Sequence, residues 1–400
     1  MKLNVIDLFA GCGGLMDGFL QSGKYKTLAA VDWEAAPINT LIRRMERKWK
    51  YNVSDKRVFQ FDIQRTNELL FGFDDPLYGT GKGLVELVGN HEVDLVIGGP
   101  PCQAYSIAGR VQDEFGMQND YRNYLFESYL KVVDHFKPKA FVFENVEGIL
   151  SAKPGGISIV DRMREAFNKI GYEIAEDLRK DTLLDTSFYG IPQRRKRVIL
   201  FAVKKDWKNK SVIDDFYSSI DALKMPLPTT SKQAFEGLPE IYPIKNGELK
   251  RKSHSAKLNG SSEVLNHQAR FHNKRDIEIF GLIAEDVKLG TNKYGTVQSL
   301  INLYKEKTGK SSKFHKYHVI REDKPSNTIP AHLHKDGLRH IHPDPLQART
   351  ITVREAARLQ TFDDDFEFLG GQGDQYKMVG NAVPPKFSKL IAEKIWEIIK

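Results

Sequence analysis

The stretch LNVIDLFAGCGG, residues 3–14, indicates how this chain folds. Its apolar first half is typical of a β-strand, and its glycine-rich second half is typical of a tight turn that leads into a helix. Four later apolar runs have the same character: TLAAVDW (27–33), VDLVIGG (93–99), KAFVFEN (139–145) and RVILFAV (197–203). Apolar runs that alternate with helical patterns favour a parallel sheet buried on both faces. We therefore predict a doubly wound, mostly parallel, Rossmann-like α/β fold, in which ligands bind at the carboxyl ends of the strands.

The chain changes character after residue 203. At 400 residues it is too long for one ordinary core, and beyond residue 203 lysines, serines and histidines cluster while the strand–helix alternation fades. Residues 120–136 and 385–399 read as amphipathic helices, and we expect the second to pack near the first strand. We predict a main α/β domain over 1–203, a smaller, irregular, basic domain inserted over 204–358, and a part over 359–400 that returns to the main domain.

Composition narrows the class of protein. The net charge is +8 and the isoelectric point is near 9.1, which favours a polyanionic partner such as nucleic acid. No apolar run approaches the roughly 18 residues that cross a membrane, and the first residues lack the pattern of a secretory signal. Two cysteines cannot form a disulfide framework. We expect a cytoplasmic monomer without a membrane partner.

The glycine-rich turn predicts a cofactor site. Asp32 follows the second strand, where such folds place a carboxylate for a ribose, and Trp33 beside it offers a flat face for adenine. The pattern G-x-G-G fits NAD, FAD, a nucleotide or S-adenosylmethionine. No Gly-Lys-Ser/Thr follows, so a P-loop is excluded. A purely structural turn with a core tryptophan explains the residue types about equally well.

The stretch GGPPCQAYS, residues 98–106, places one of the two cysteines in a stiff loop. Cys102 follows two prolines, which fix φ, and Glu144 ends the next predicted strand. Neighbouring parallel strands direct both side chains into one crevice, where a thiolate and an acid suit covalent catalysis. A buried inert thiol beside a structural glutamate is the common alternative, but it explains the prolines and glycines poorly.

Six motifs in order resemble those of the cytosine-5 DNA methyltransferases, restriction-modification type, and the match covers nearly everything outside 204–325. They are DLFAGCGG (7–14), GGPPCQAYS (98–106), FENVEG (143–148), QRRKR (193–197), REAARLQTF (354–362) and QYKMVGNAVPP (375–385). Many members have proline after the glutamine of the cysteine loop, whereas this chain has Ala104. The resemblance implies a methyltransferase fold with S-adenosylmethionine as cofactor and duplex DNA as substrate.

The resemblance also implies roles for particular residues. Cys102 would attack C6 of a target cytosine and Glu144 would contact N3, while Arg195 and Arg197 would steady the flipped base and the active-site loop. The positions that match cofactor contacts are Phe9, Gly11, Gly13, Asp32, Trp33, Asp62, Pro101, Leu125 and Asn381. The positions that match DNA contacts are Gln103, Ser106 and Arg110. The group that removes the C5 proton is left open.

The implied activity is transfer of a methyl group to C5 of a flipped-out cytosine in a specific DNA sequence, as the partner of a restriction endonuclease. An RNA (tRNA) cytosine-5 methyltransferase is the nearest alternative, although its known relatives have a shorter, less basic insert. A catalytically silent DNA-binding relative and a dinucleotide oxidoreductase explain the six motifs less well. In the family, the insert between the eighth and ninth motifs reads the target sequence.

Two H-x-H pairs near the end of the insert raise the question of a metal. They are His332 with His334 and His340 with His342. No cysteine lies near them, and H-x-H alone is a weak metal signal. We therefore expect no metal and interpret these histidines as surface residues, either facing DNA or simply solvated.

Overall fold

The computed structural model describes residues 2–101, 125–153, 156–207, 211–244, 252–256, 263–311, 316–335 and 337–400. The chain forms two compact units. The first comprises Met1–Tyr189, Lys196–Pro226 and Ala382–Lys400, and the second comprises Gly190–Arg195 and Leu227–Asn381. The roles predicted from the sequence for the three segments 1–203, 204–358 and 359–400 stay predictions. The observed bounds differ from the predicted ones at three places: residues 190–195 and 359–381 fold with the second unit, and residues 204–226 fold with the first.

Twelve strands occur in the described residues. In chain order they are β1 (Leu3–Leu8), β2 (Tyr25–Asp32), β3 (Val58–Gln60), β4 (Phe73–Asp75), β5 (Gly79–Gly81), β6 (Leu95–Gly98), β7 (Ala140–Val146), β8 (Tyr172–Glu173), β9 (Leu183–Asp185), β10 (Lys196–Lys204), β11 (Ile241–Pro243) and β12 (His254–Ala256).

The first unit is built on an eight-stranded sheet in the order β3-β2-β1-β6-β7-β10-β8, with β9 beside β10. Strands β3, β2, β1, β6 and β7 pair in parallel, as the apolar runs predict. The expectation that residues 197–203 belong to the parallel set was wrong, because β10 is antiparallel to β7, β8 and β9. Only residues 186–195 separate β9 from β10, and a parallel pair needs a crossover of a dozen or more residues.

The helices of both units, in chain order, are α1 (Gly14–Gln21), α2 (Ala35–Arg47), α3 (Thr66–Phe71), α4 (Leu84–Val88), α5 (Leu125–Phe136), α6 (Ile159–Lys169), α7 (Leu178–Thr182), α8 (Val212–Asp221), α9 (Ser231–Phe235), α10 (Lys274–Leu289), α11 (Val297–Thr308), α12 (Val353–Leu359), α13 (Gln372–Asn381) and α14 (Pro385–Ile399). Helix α5 is the described part of the helix predicted over 120–136, and it ends two residues before Pro138 because a residue preceding proline disfavours the helical conformation.

The last helix packs on the first. A Cβ on Gly18 of α1 would overlap the Pro385 carbonyl oxygen and the Ser388 side chain, and would lie 2.7 Å from the Lys389 nitrogen. The Tyr25 hydroxyl of β2 donates a hydrogen bond to the Ala392 carbonyl at 2.7 Å. These contacts confirm that residues 385–399 form a helix that packs beside the first strands.

The second unit contains more helix than the sequence predicts. Its one described sheet is the antiparallel pair β11–β12, and the rest of its framework is helices and irregular segments. Helices α10 and α11 bury a shared apolar cluster that includes Ile279, Phe280 and Leu303. Their apolar positions are interspersed with charged and polar residues, which obscured the helical period.

Candidate active site

Glu144 lies near the carboxyl end of β7, where the predicted fold places ligands. The antiparallel partner β10 pairs Ile199 with Glu144 and Arg197 with Val146, so the arginine side chain reaches the carboxylate. The Arg197 Nε lies 2.9 Å from Glu144 Oε1, and the exposed fractions of the two side chains are only 13% and 12%. A carboxylate this buried needs a charged partner, because losing its hydration is otherwise costly. Arg197 therefore fixes one oxygen of Glu144.

The two glycines before the prolines are sites of close approach. A Cβ on Gly98 would overlap the carbonyl oxygen of Leu8 in the neighbouring strand β1, and it would meet the Tyr129 ring at 3.0 Å. A Cβ on Gly99 would meet the Glu144 carboxylate. Neither residue has a positive φ, so the need for glycine here is steric and not conformational.

Asn145 connects the glutamate strand to the proline loop. Its Nδ2 donates a hydrogen bond to the Pro100 carbonyl at 3.2 Å, and the asparagine is buried. No role for Asn145 was predicted from the sequence, although its position directly after Glu144 was a signal. Pro101, predicted to contact the cofactor, is half-buried at the end of the described loop. Cys102, Gln103, Ser106 and Arg110 lie outside the described residues.

Arg195 has a different environment from Arg197, two residues later. Its side chain is fully buried in the second unit, where Nη1 donates to the Ile329 carbonyl at 3.1 Å and Nη2 donates to the Gly380 carbonyl at 2.7 Å. The same segment supplies Gln193, whose Oε1 accepts a hydrogen bond from the Ile329 N–H at 3.0 Å. The structure thus places Arg197 at Glu144, whereas these two hydrogen bonds of Arg195 join segments of the second unit. A catalytic role for Arg195 stays a prediction.

The glycine-rich turn has an unusual backbone. Phe9, Gly11 and Gly13 have φ values of 59°, 55° and 89°, a region that favours glycine, so alternate residues of the turn are left-handed. The position of a Cβ on Gly11 has no atom within 4 Å, whereas a Cβ on Gly13 would overlap the Leu41 side chain. The turn therefore keeps open space at Gly11 and packs tightly at Gly13.

The Asp32 carboxylate is oriented by the same turn. Its Oδ2 accepts a hydrogen bond from the Gly11 N–H, and its Oδ1 accepts one from the Glu34 N–H, both at 2.9 Å. Burial raises the pKa of Asp32 to about 6, although the hydrogen bonds from Glu34 and Gly11 oppose that rise. The structure confirms that Asp32 ends β2 beside the glycine turn.

The other predicted cofactor residues are distributed over both units. The Trp33 side chain follows Asp32 and is 53% exposed. Asp62 follows β3, and its Oδ1 accepts a hydrogen bond from the Gln64 N–H at 3.0 Å. Leu125 is buried at the start of α5. Asn381 ends α13, in the second unit.

Two further residues near this turn are buried. Burial raises the pKa of the Cys12 thiol to about 12, so this cysteine is a neutral packing residue at physiological pH. Asp7, in the middle of β1, is fully buried, and its carboxylate has no hydrogen-bond partner among the described residues. Burial, followed by the nearby Asp32 charge, raises the pKa of Asp7 well above its ordinary value.

The histidines of the second unit are mostly interior. His342 is buried, its ring stacks on Phe235 with centroids 5.4 Å apart, and its Nε2 lies 3.5 Å from Glu355 Oε1. His340 is also buried, so the expectation that these H-x-H histidines lie on the surface was wrong for His340 and His342. Packing against apolar residues, which their spacing did not reveal, explains the difference. Among the described residues, no group of three or more histidine, cysteine or acidic side chains could hold a metal ion.

The first unit has a mostly parallel sheet, a glycine turn bound to a carboxylate at the end of β2, and a proline loop beside an arginine-bound glutamate. This arrangement agrees with the α/β class of methyltransferases. The model of the C-5 cytosine-specific DNA methylase family matches residues 3–397, and the chain belongs to that family. None of the helices in the described parts of the chain is long and apolar enough to span a membrane.

Curated relatives match the chain over almost its whole length. The type II methyltransferase M.Bpa9945I of Bacillus paralicheniformis is 34% identical, covering 99% of each chain. The type II methyltransferase M1.HphI of Haemophilus parahaemolyticus is 30% identical, covering 99% of this chain and 87% of the relative. A solved structure from E. coli, described as a DNA modification methyltransferase encoded within a prophage, aligns with a TM-score of 0.63 at 24% identity and covers 99% of both chains. The chain is thus a C-5 cytosine DNA methyltransferase of the type II restriction-modification class.

Proposed function

We propose that this chain transfers a methyl group from S-adenosylmethionine to C5 of a cytosine that is flipped out of a specific duplex DNA sequence. The observation that carries the proposal is the position of the Glu144 carboxylate. Arg197 binds it at 2.9 Å, and it lies against Gly99. Gly99 is three residues before Cys102 in the chain. Flipping is needed because C5 is inaccessible inside a duplex, and it costs roughly a few kcal/mol. The high positive charge of the chain would help to hold the opened duplex.

The chemistry follows from the electronic structure of cytosine. C5 is too weak a nucleophile to react unaided, so the Cys102 thiolate adds to C6, breaks the 5,6 double bond and places its electron pair at C5. Glu144 would contact N3 of the ring, where charge develops, and Arg197 holds the Glu144 carboxylate in position. After methylation, a base removes the C5 proton, the double bond reforms, and the cysteine leaves as a thiolate.

The residues at the ends of β1 and β2 fit the methyl donor. S-adenosylmethionine, when bound, supplies an electrophilic methyl group. The Asp32 carboxylate is held by two backbone N–H groups and retains lone pairs for ribose hydroxyls. Open space at Gly11 leaves room for the amino-acid end of the donor, and the exposed Trp33 offers an apolar face.

Tritiated S-adenosylmethionine, incubated with the protein and either duplex DNA or tRNA, tests the proposal. We expect alkali-stable label in DNA as 5-methylcytosine and none in tRNA. Label in tRNA alone would favour the RNA alternative. Label in neither substrate, with folded protein that binds DNA, would favour a catalytically silent DNA-binding protein.

We further infer that the methylation protects host DNA from a restriction endonuclease with the same target sequence. The inference is supported by the relatives, which are type II methyltransferases. Bisulfite sequencing of DNA from cells that express the protein would identify the target and the methylated cytosine. Methylation without sequence preference would contradict a protective role.

A further inference from the structure

A small structure beside the end of β3 is not part of the site predicted from the sequence. After Asp62 the chain forms α3 and then the hairpin β4–β5, in which Phe73 pairs with Gly81 and Asp75 pairs with Gly79. The turn of this hairpin contains Leu77, whose side chain is 74% exposed, and Tyr78, which is partly buried. All of these residues belong to the first unit.

The hairpin is tied firmly to the chain that precedes α3. Arg65 Nη1 donates to Asp75 Oδ2 at 2.6 Å, and the same arginine pairs with Glu68. The other oxygen of Asp75 accepts hydrogen bonds from the Leu77 N–H at 2.8 Å and the Tyr78 N–H at 3.0 Å. One carboxylate therefore fixes both the conformation of the turn and its attachment to Arg65.

Aromatic packing then places Tyr78 next to the predicted cofactor residues. Phe61 is fully buried, stacks on Phe73 with centroids 4.0 Å apart and 25° between the planes, and has the Tyr78 ring 5.1 Å away. The Phe61 N–H donates to the Asp32 carbonyl at 2.9 Å, and Asp62 is the next residue. Tyr78 is thus separated by a single ring from the strand ends that carry Asp32 and Asp62.

The electrostatics of Tyr78 agree with that placement. Partial burial raises the pKa of the Tyr78 phenol, and the charges of Asp62 and Asp75 raise it further. The hydroxyl stays protonated at physiological pH, so it can donate a hydrogen bond.

We propose that Tyr78 is a further residue of the methyl donor's adenosine site, where its ring contacts the purine and its hydroxyl lies beside Asp62. The inference rests on the proposed function, since it requires the donor at Asp32 and Asp62. A flat aromatic ring gives a purine a large contact at low entropic cost. Phe73 is already covered within the hairpin, whereas Tyr78 keeps part of its ring accessible.

Calorimetric binding of S-adenosylhomocysteine tests the proposal on the whole chain. Tyr78→Leu keeps apolar packing against Phe61 but removes the aromatic face, and we expect its Kd to rise roughly five- to tenfold. Tyr78→Phe, which keeps the ring, should recover most of the affinity. Leu77→Ala, in the same turn but exposed, should bind like the unaltered chain. In methyl transfer, KM for the donor should rise for Tyr78→Leu, while kcat at saturating donor stays within about twofold.

Other outcomes overturn the proposal in distinguishable ways. If Tyr78→Leu binds as tightly as the unaltered chain, Tyr78 does not contact the donor. If its melting temperature and kcat fall while Kd of the folded fraction is unchanged, the hairpin only covers Phe61. If the unaltered chain does not bind S-adenosylhomocysteine, the donor assignment fails, and this inference fails with it.

Discussion

Gly99 and Glu144 share one space: a Cβ on Gly99 would lie 2.6 Å from Glu144 Oε2. Because Arg197 holds the other carboxylate oxygen at 2.9 Å, Glu144 cannot move aside without breaking that ion pair. The second glycine of GGPP therefore sets the position of the glutamate, as well as allowing the backbone to turn.

Gly99→Ala should lower kcat roughly 10- to 100-fold, because a displacement of about 1 Å in a reacting group has effects of that size. The melting temperature should also fall, because displacing Glu144 weakens its largely buried ion pair with Arg197. Steady-state methylation assays with thermal unfolding measure both quantities. Gly371→Ala is a matched control, because its Cβ would meet no atom closer than 3.5 Å. Full activity of Gly99→Ala would show that Glu144 tolerates displacement.

Cys102→Ser should abolish methyl transfer while leaving donor binding nearly intact, because a hydroxyl is a far weaker nucleophile than a thiolate at neutral pH. The unaltered protein should also form a covalent complex with duplex DNA that carries 5-fluorocytosine at the target, since fluorine cannot leave as a proton does. Denaturing gel electrophoresis detects that complex, and the serine variant should not form it. Substantial turnover by the variant would rule out the covalent route.

Asp32→Ala should weaken donor binding by about 1–3 kcal/mol, the usual effect of leaving buried polar partners unpaired. The variant removes the carboxylate that accepts hydrogen bonds from the N–H groups of Gly11 and Glu34. A ribose hydroxyl of the donor would lose the same acceptor. Calorimetry with S-adenosylhomocysteine measures the change, and Asp55→Ala, at an exposed position, is the control. An unchanged Kd would mean that the end of β2 does not reach the donor.

The second unit should lose stability on acidification before the first. Burial lowers the pKa of His254 to about 4, that of His272 to about 3 and that of His342 to about 4, and the Arg349 charge lowers all three further. The charges of His254 and Arg270 also act on His272, while Glu355 and Asp344 oppose the shift at His342. As pH falls below about 6.5, the unfolded chain binds protons that the folded unit excludes, so stability present above pH 6.5 is lost toward pH 4, by up to about 3 kcal/mol per histidine.

Tryptophan fluorescence can separate the units, because all four tryptophans (Trp33, Trp49, Trp207 and Trp396) belong to the first. Between pH 7 and pH 4.5, we expect helical circular dichroism to fall before the fluorescence changes. Replacing the exposed His91 of the first unit by glutamine should leave that order unchanged. Coincident transitions would contradict the prediction.

Gly18→Ala should destabilise the first unit by about 1–3 kcal/mol, because an added methyl group would overlap helix α14. Gly281→Ala, in the middle of α10, is the matched control: its Cβ would meet no atom closer than 3.5 Å, so better helix propensity should stabilise it by up to about 1 kcal/mol. Urea unfolding measures both. Equal stability of the two variants would mean that α14 can move away from α1.

The sequence predicted those elements whose signal is local. Strands β1, β2, β6 and β7 are rich in apolar residues, so their bounds were predicted to within two residues. Strands β3 and β8, with three and two residues, are too short to show a period. Whether β10 runs parallel or antiparallel to β9 depends on the length of the connection between them. The residue pattern of a strand does not show this.

The site was predictable where topology alone decides it. Strand ends meet at one edge of a sheet, which brings Glu144 to the proline loop. The role of Asn145, the steric need for Gly99 and the split between Arg195 and Arg197 depend on atoms distant in sequence. Contacts between residues that are distant in the sequence produce no periodic pattern in it, so one sequence alone does not predict them.

Side chains of the segment 190–195 bind backbone groups elsewhere in the second unit. Gln193 binds the Leu359 carbonyl and the Ile329 N–H, and Arg195 binds the Ile329 carbonyl. Every amino acid carries a backbone carbonyl and all except proline carry an N–H, so most substitutions at 329 and 359 would leave these bonds available. These hydrogen bonds therefore tolerate many substitutions in the residues that they contact. Substitutions could therefore accumulate on the surface of the second unit without breaking these hydrogen bonds.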